Sequence, residues 1–331
     1  MDKIHTNSKA YKKDKRNHLI EAKNNESKPA VLACLFLCLL TAIISLKSKL
    51  VAQAIAEALL LCGRTVIPSL FPFMVLNSVW VQSGFAAWLG RCLNGLTGRL
   101  FGISGCGTPF LLGILGGFPL GAECICAMVR QQDCSREEAE RMLAFCNNTG
   151  PSFLIFGIGS AMFGSTKTGC ILYVSQLLSA ILTGIVFCMI YGRMPLRSGK
   201  ETEIFFSGNM LVSAISESVI SLLKICGFIT AFGGLTALAG NMAAGLPAAV
   251  RALLYGFLEL TSGALQAAST GGLTGITVCG AICGWAGWSV HMQTMSAVRE
   301  LNLGLGHYYR GKLLQCLFCA GITLILCKFF C

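Results

Sequence analysis

Charge is what this sequence has least of. Of 331 residues only 15 are Asp or Glu and 26 are Lys or Arg, together 12%. A soluble domain carries about 25% charged residues, so this chain lacks the polar surface to coat itself in water. Several catalytic signatures are missing too. The one Gly-Lys pair near a loop, Gly199-Lys200, has no upstream glycine at phosphate-loop spacing and is followed by Glu201, so the chain does not drive itself with ATP. No HExxH, GxSxG or paired intramembrane aspartate occurs, and no enzyme activity is expected. Metal-site spacing is absent although cysteines are many. Cys124-x-Cys126 and Cys316-x-x-Cys319 have no second Cys/His pair at zinc spacing. Most of the 18 cysteines sit inside apolar runs, where a free thiol behaves as a small hydrophobe. No metal and no cofactor is expected, beyond a coupling proton or sodium ion.

What is present is apolar. Hydrophobic residues make up 54% and the mean hydropathy is +0.67, which points to an all-α, polytopic transmembrane helix bundle. Stretches free of Asp, Glu, Lys and Arg cover 29–46, 65–90, 100–122, 142–166, 168–192, 225–250, 260–298 and 313–327. About 20 apolar residues span the hydrocarbon core as a helix; the 260–298 run is nearly twice that and should fold back on itself. The net charge of +11 is concentrated in the tail and in short connections. That is the pattern of membrane topology and of anionic headgroups, not of nucleic-acid binding. Residues 1–28, with eight Lys/Arg against four Asp/Glu, read as a disordered basic cytoplasmic tail. Residues 193–204 form a polar loop that divides the remainder into two membrane segments, 29–192 and 193–331.

Several apolar runs are interrupted: 113–121 (GILGGFPLG), 147–151 (NNTGP) and 284–289 (GWAGWS). Unwound backbone at membrane depth survives only where it is buried in protein or lines a cavity, and such breaks hold the substrate in many secondary transporters. The two segments also echo each other. Ala54-Ile55-Ala56-Glu57 with Arg64 matches Ala214-Ile215-Ser216-Glu217 with Lys224 at an offset of 160. The stretch 146–152 matches 283–289 at Cys, Gly and Ser, and Gly121-Ala122 matches Gly263-Ala264. Two related repeats, each with a helical hairpin and a broken helix, are therefore expected. Ser135 and Glu138 read as a capping box opening a helix that runs into Cys146.

Candidate binding groups follow from the breaks. Asn147, Asn148, Thr149 and Ser152 offer uncharged donors and acceptors, and Pro151 frees a backbone carbonyl; they suit a small polar or anionic cargo, or helix–helix hydrogen bonding. Gly117, Pro119 and Gly121 form a hairpin tip that lets backbone approach a ligand, or a packing notch. Glu259, followed by Thr261 and Ser262, is an acid beside a long uncharged run. It could bind a coupling ion, contact cargo, or end a segment at the interface. Ser289, His291 and Gln293 alternate at period two and face one side only if the backbone there is extended; His291 could relay protons or be a buried, hydrogen-bonded imidazole.

Residues 68–73 (PSLFPF), 116–122 (GGFPLGA), 147–151 (NNTGP), 259–263 (ELTSG) and 287–293 (GWSVHMQ) resemble the sporulation integral membrane protein YlbJ family, which carries the nucleoside-recognition or Gate domain. The resemblance spans roughly residues 50–300. It implies a multi-pass bacterial membrane protein of the outer forespore membrane, distantly like concentrative nucleoside transporters, with two hairpins and two broken helices around one site. The cargo it implies is dipicolinate; nucleoside-type transport and a non-transporting scaffold for cortex formation stay open. Partners expected are a small-molecule substrate, the lipid bilayer and a possible second copy of the chain. This chain departs from the family in being short after its last apolar run.

Overall fold

The structure, a computed structural model, describes residues 31–194 and 204–330. The basic tail 1–28 and most of the loop at 193–204 lie outside the described residues. Among those described, no strand forms. Helix α1 (Val31–Leu46), apolar and exposed along nearly its whole length, belongs to an N-terminal unit that ends at Ala52. Thirteen further α-helices follow among the described residues, where five helical segments are long and apolar enough to cross a membrane: Ser48–Gln82, Thr166–Tyr191, Asn209–Gly240, Gly272–Leu301 and Gly306–Phe330.

The first of these segments consists of α2 (Ser48–Leu61), a π-helical turn (Cys62–Val66) and α3 (Ile67–Gln82). After α4 (Phe85–Phe101) come two half-length helices, α5 (Gly107–Gly116) and α6 (Leu120–Arg130). Then α7 (Arg136–Cys146) leads through an extended stretch into a broad π-helical segment, Ser152–Met162, and on to α8 (Thr166–Tyr191). Beyond the loop, α9 (Asn209–Met242) precedes α10 (Ala248–Leu258), α11 (Leu260–Thr270), α12 (Gly272–Trp285), α13 (Gly287–Val298) and α14 (Gly306–Phe330). The long 260–298 run does turn back, at Gly271 and Gly272, both at positive φ.

The pattern of burial is that of helices solvated by lipid. On α8, Val174, Leu178 and Leu182 recur every fourth residue and are exposed, while Ser175, Gln176, Ser179 and Thr183 on the other side are buried. The same holds on α14, where Leu313, Leu317 and Ile325 are exposed and Lys312, Gln315 and Thr323 are buried. Residues four apart share a face, so polar residues point inward and apolar ones outward. A water-soluble helix does the reverse. The buried hydroxyls of α8 are satisfied locally: Ser175 donates to the Ile171 carbonyl at 2.8 Å and Thr183 to the Ser179 carbonyl at 2.8 Å.

Helix α7 begins as its sequence dictates. The Ser135 hydroxyl accepts from the Glu138 amide at 3.2 Å, and the Glu138 carboxylate accepts from the Ser135 amide at 2.6 Å. This reciprocal cap matters because α7 ends, eleven residues later, at the break that carries Asn147. Ser135→Ala should lower stability by about 1 kcal/mol, seen as a reduced thermal midpoint of the purified protein with no change in membrane insertion.

Candidate functional site

Four interruptions of helical backbone meet at one place. The first separates α5 from α6 at Gly117, Phe118 and Pro119. Gly117 sits at φ 81°, ψ −170°, which only glycine adopts readily. The second is the extended stretch 147–150 between α7 and the segment Ser152–Met162. The third is Glu259, extended at φ −145°, ψ 123° between α10 and α11. The fourth is Ala286, between α12 and α13 at φ 78°, a left-handed conformation that costs a residue with a Cβ about 1 kcal/mol or more.

The breaks touch in pairs. A Cβ at Gly117 would lie 2.8 Å from the Gly150 amide nitrogen, and one at Gly287 would lie 2.9 Å from the Leu260 amide nitrogen. A small cavity lies between the first three breaks and the first turns of α13, lined by Gly117, Thr149, Glu259, Thr261, Ser289 and Gln293 among its polar or backbone-presenting residues. The remaining wall is apolar, with Phe118, Phe153, Leu70 and Ile229. Small-molecule sites have this mixture of apolar wall with a few polar groups.

Two of the polar groups have no partner among the described residues: Thr149 Oγ1 and Ser289 Oγ are buried without a hydrogen bond. Buried hydroxyls are normally paired, and these two belong to residues that line the same cavity. Helix N-termini also converge here, because every break starts a new helix: α6 after Pro119, Ser152–Met162 after Pro151, α11 after Glu259 and α13 after Ala286. Their free amides and positive dipole ends favour an acceptor-rich or anionic group. At α11 this demand is met internally. Glu259 Oε1 accepts from the Thr261 amide at 2.8 Å and Oε2 from the Ser262 amide at 2.5 Å, so Glu259 is the N-cap of α11 as well as part of the cavity wall.

The other residues expected at the site take different places. Pro119 caps α6 at the hairpin tip, Gly121 packs against the Cys146 carbonyl, and Ser152 is the buried first residue of its segment. Ser262 contributes its backbone amide to Glu259. Asn147 and Asn148 do not line the cavity. The Asn147 amide donates to Thr294 Oγ1 at 2.9 Å. Asn148 Oδ1 accepts from Gln176 at 3.2 Å and from Gln315 at 3.0 Å, tying α8 and α14 to the second break. The extended backbone considered for 289–293 is not found. Gly287 opens a regular helix, so Ser289 and Gln293, four apart, face the cavity while His291 turns away. Its Nδ1 lies 2.9 Å from the Tyr308 hydroxyl, and the ring stands edge-on to Trp285 and Trp288.

The residue that sequence reasoning passed over is Lys312. It stands just before the 313–327 apolar run, yet it lies six residues inside α14 and is fully buried. The available signal was its spacing to Gln315, three residues on and therefore on the same helix face. Gln176, the only carboxamide in 168–192, carried a similar signal.

No family model matches this chain, and no solved structure does either. One curated relative is the sporulation integral membrane protein YlbJ of Bacillus subtilis (strain 168), 25% identical over 343 aligned residues that cover 90% of this chain and 83% of the relative. With five helical segments suited to span a bilayer, the chain is a multi-pass integral membrane protein and a distant homologue of that sporulation membrane protein.

Proposed function

We propose that the chain is a secondary transporter for a small metabolite with an apolar or aromatic body and a carboxylate edge, the class to which dipicolinate belongs. The observation that carries this reading is the cavity among the helix breaks, with two unpartnered hydroxyls and several helix N-termini around it. A scaffold gains nothing from four interruptions of helical hydrogen bonding, whereas a carrier uses the loosened backbone as its binding surface. The distant homologue supports a setting in sporulation, and the forespore membrane is the location that setting favours.

The order of elements supports two related repeats of the Gate type. In each, a long helix (α2–α3; α9) precedes an interrupted pair (α5–α6; α10–α11). A broken helix follows (α7 with Ser152–Met162; α12–α13), and a spanning helix (α8; α14) closes the unit. On this reading the breaks at 147–151 and 286 are counterparts, with Gly150 and Gly287 in equivalent places. The carboxylate of Glu259 in the wall favours a second reading, a neutral cargo such as a nucleoside whose hydroxyls could donate to it.

Uptake of labelled dipicolinate and of nucleosides into proteoliposomes, with and without ion gradients, separates these cases. Flux of dipicolinate supports the first, flux of nucleosides the second, and flux of neither sinks both in favour of a scaffold. Thr149→Val and Ser289→Ala should each weaken cargo affinity by roughly 3–10-fold, the worth of one hydrogen bond. Because neither hydroxyl has a partner to lose, the thermal midpoint of the cargo-free protein should hardly move.

A further inference from the structure

Lys312 is a buried ammonium with neutral partners. Nζ donates to the backbone carbonyl of Asn147 at 2.5 Å and to Gln315 Oε1 at 2.6 Å. It lies 5.0 Å from the ring centroid of Phe118 and 5.9 Å from that of Tyr308, within range of cation–π attraction. Neither hydrogen-bond acceptor is a carboxylate. An ionisable residue inside a membrane bundle is functional by default, and it is ordinarily paired with an opposite charge or with backbone carbonyls.

The Asn147 carbonyl is available for a physical reason. In a continuous helix it would accept from the amide four residues on, but that residue is Pro151, which has no N–H. The second break therefore leaves a carbonyl with no helical donor, and the ammonium takes it. Unwound carbonyls of this kind, with amide oxygens, are the groups that coordinate monovalent cations in broken-helix carriers.

We propose that Lys312 is a tethered cation: its ammonium fills a monovalent-cation site built from the Asn147 carbonyl, Gln315 and the faces of Phe118 and Tyr308, so that no free sodium ion is needed at this break. The site then holds the Lys312 ammonium one aromatic ring behind the cavity, since Phe118 is also part of the cavity wall. The meaning of this for coupling rests on the transporter reading; the existence of the site does not.

The test needs no cargo. The full chain, purified in detergent, is melted in NaCl, KCl and choline chloride at equal ionic strength. Wild type should show one midpoint in all three. Lys312→Ala should melt about 5 °C lower in choline chloride, because it leaves the two oxygens unpaired. Methylammonium chloride or NaCl should restore the loss in a saturable way, and neither should affect wild type. An unchanged midpoint in Lys312→Ala, or a loss that methylammonium and sodium repair no better than choline, would overturn the proposal. The wild-type arm stands without any variant: stabilisation by sodium over both potassium and choline overturns it too, even if Lys312→Ala does not fold. Methylammonium rescue without flux of any cargo removes the transporter and leaves the site. Cargo flux that requires sodium in wild type keeps the transporter and removes the tethered cation.

Discussion

Glu259→Gln should reduce cargo flux in proteoliposomes at least tenfold while the protein still inserts and purifies. The carboxylate is only 1% exposed and both its oxygens accept backbone amides at the start of α11. Hydrogen bonds to a charged group contribute about 1.5–3 kcal/mol each, and a negative charge at a helix N-terminus adds to that through the dipole. Glutamine is nearly the same size but has one oxygen and one NH2. The NH2 would face an amide N–H, donor against donor, so one of the two caps is lost and the extended φ, ψ at 259 is no longer held. The first turn of α11 carries Thr261 into the cavity, and a shift of about 1 Å in a binding group can cost on the order of 100-fold in rate. Glu259→Asp keeps the charge but is one methylene shorter, so it should retain more flux than Gln. Flux unaffected by Gln, measured at equal protein incorporation, would show that the cap is structural and that the third break takes no part in binding.

The legible part of this molecule was the part set by backbone chemistry. Glycine and proline at 117, 119, 150 and 151 weaken helical backbone where they cluster, and the structure interrupts its helices there. The Ser135 capping box was readable for the same reason: it is a local motif of four residues. Glu259 was visible as an anomaly, but its role as a cap was not, since nothing in the sequence marks 259 as a break. Alternation at 289, 291 and 293 suggested one extended face, and helix α13 assigns His291 to a different environment. Lys312 escaped because the charge of a residue near a segment end does not reveal whether its helix carries it to the headgroups or into the protein. That depends on where α14 packs. It lies along α7, α8 and α12, and the contacts with α7 and α8 join residues more than a hundred positions apart.

Gly121→Val should be strongly destabilising, costing roughly 3 kcal/mol or more. Added Cβ atoms at Gly113 on α5 and at Gly121 on α6 would both fall on the carbonyl oxygen of Cys146. The two arms of the hairpin therefore close on the carbonyl end of α7, at the residue before the second break. Backbone cannot move aside as a flexible side chain can, so the hairpin would have to lift off α7. The contact of Gly117 with Gly150 would go with it, and with that contact one side of the cavity. The expected signature is a lowered thermal midpoint together with lost flux. Gly227→Ala on α9 provides the opposite control. Nothing lies within 4 Å of a Cβ there, so the change should be neutral or stabilise by about 0.5–1 kcal/mol through helix propensity. A Gly121→Val protein that melts like wild type would mean that the hairpin does not rest on α7. The first two breaks would then have no common wall to offer a ligand.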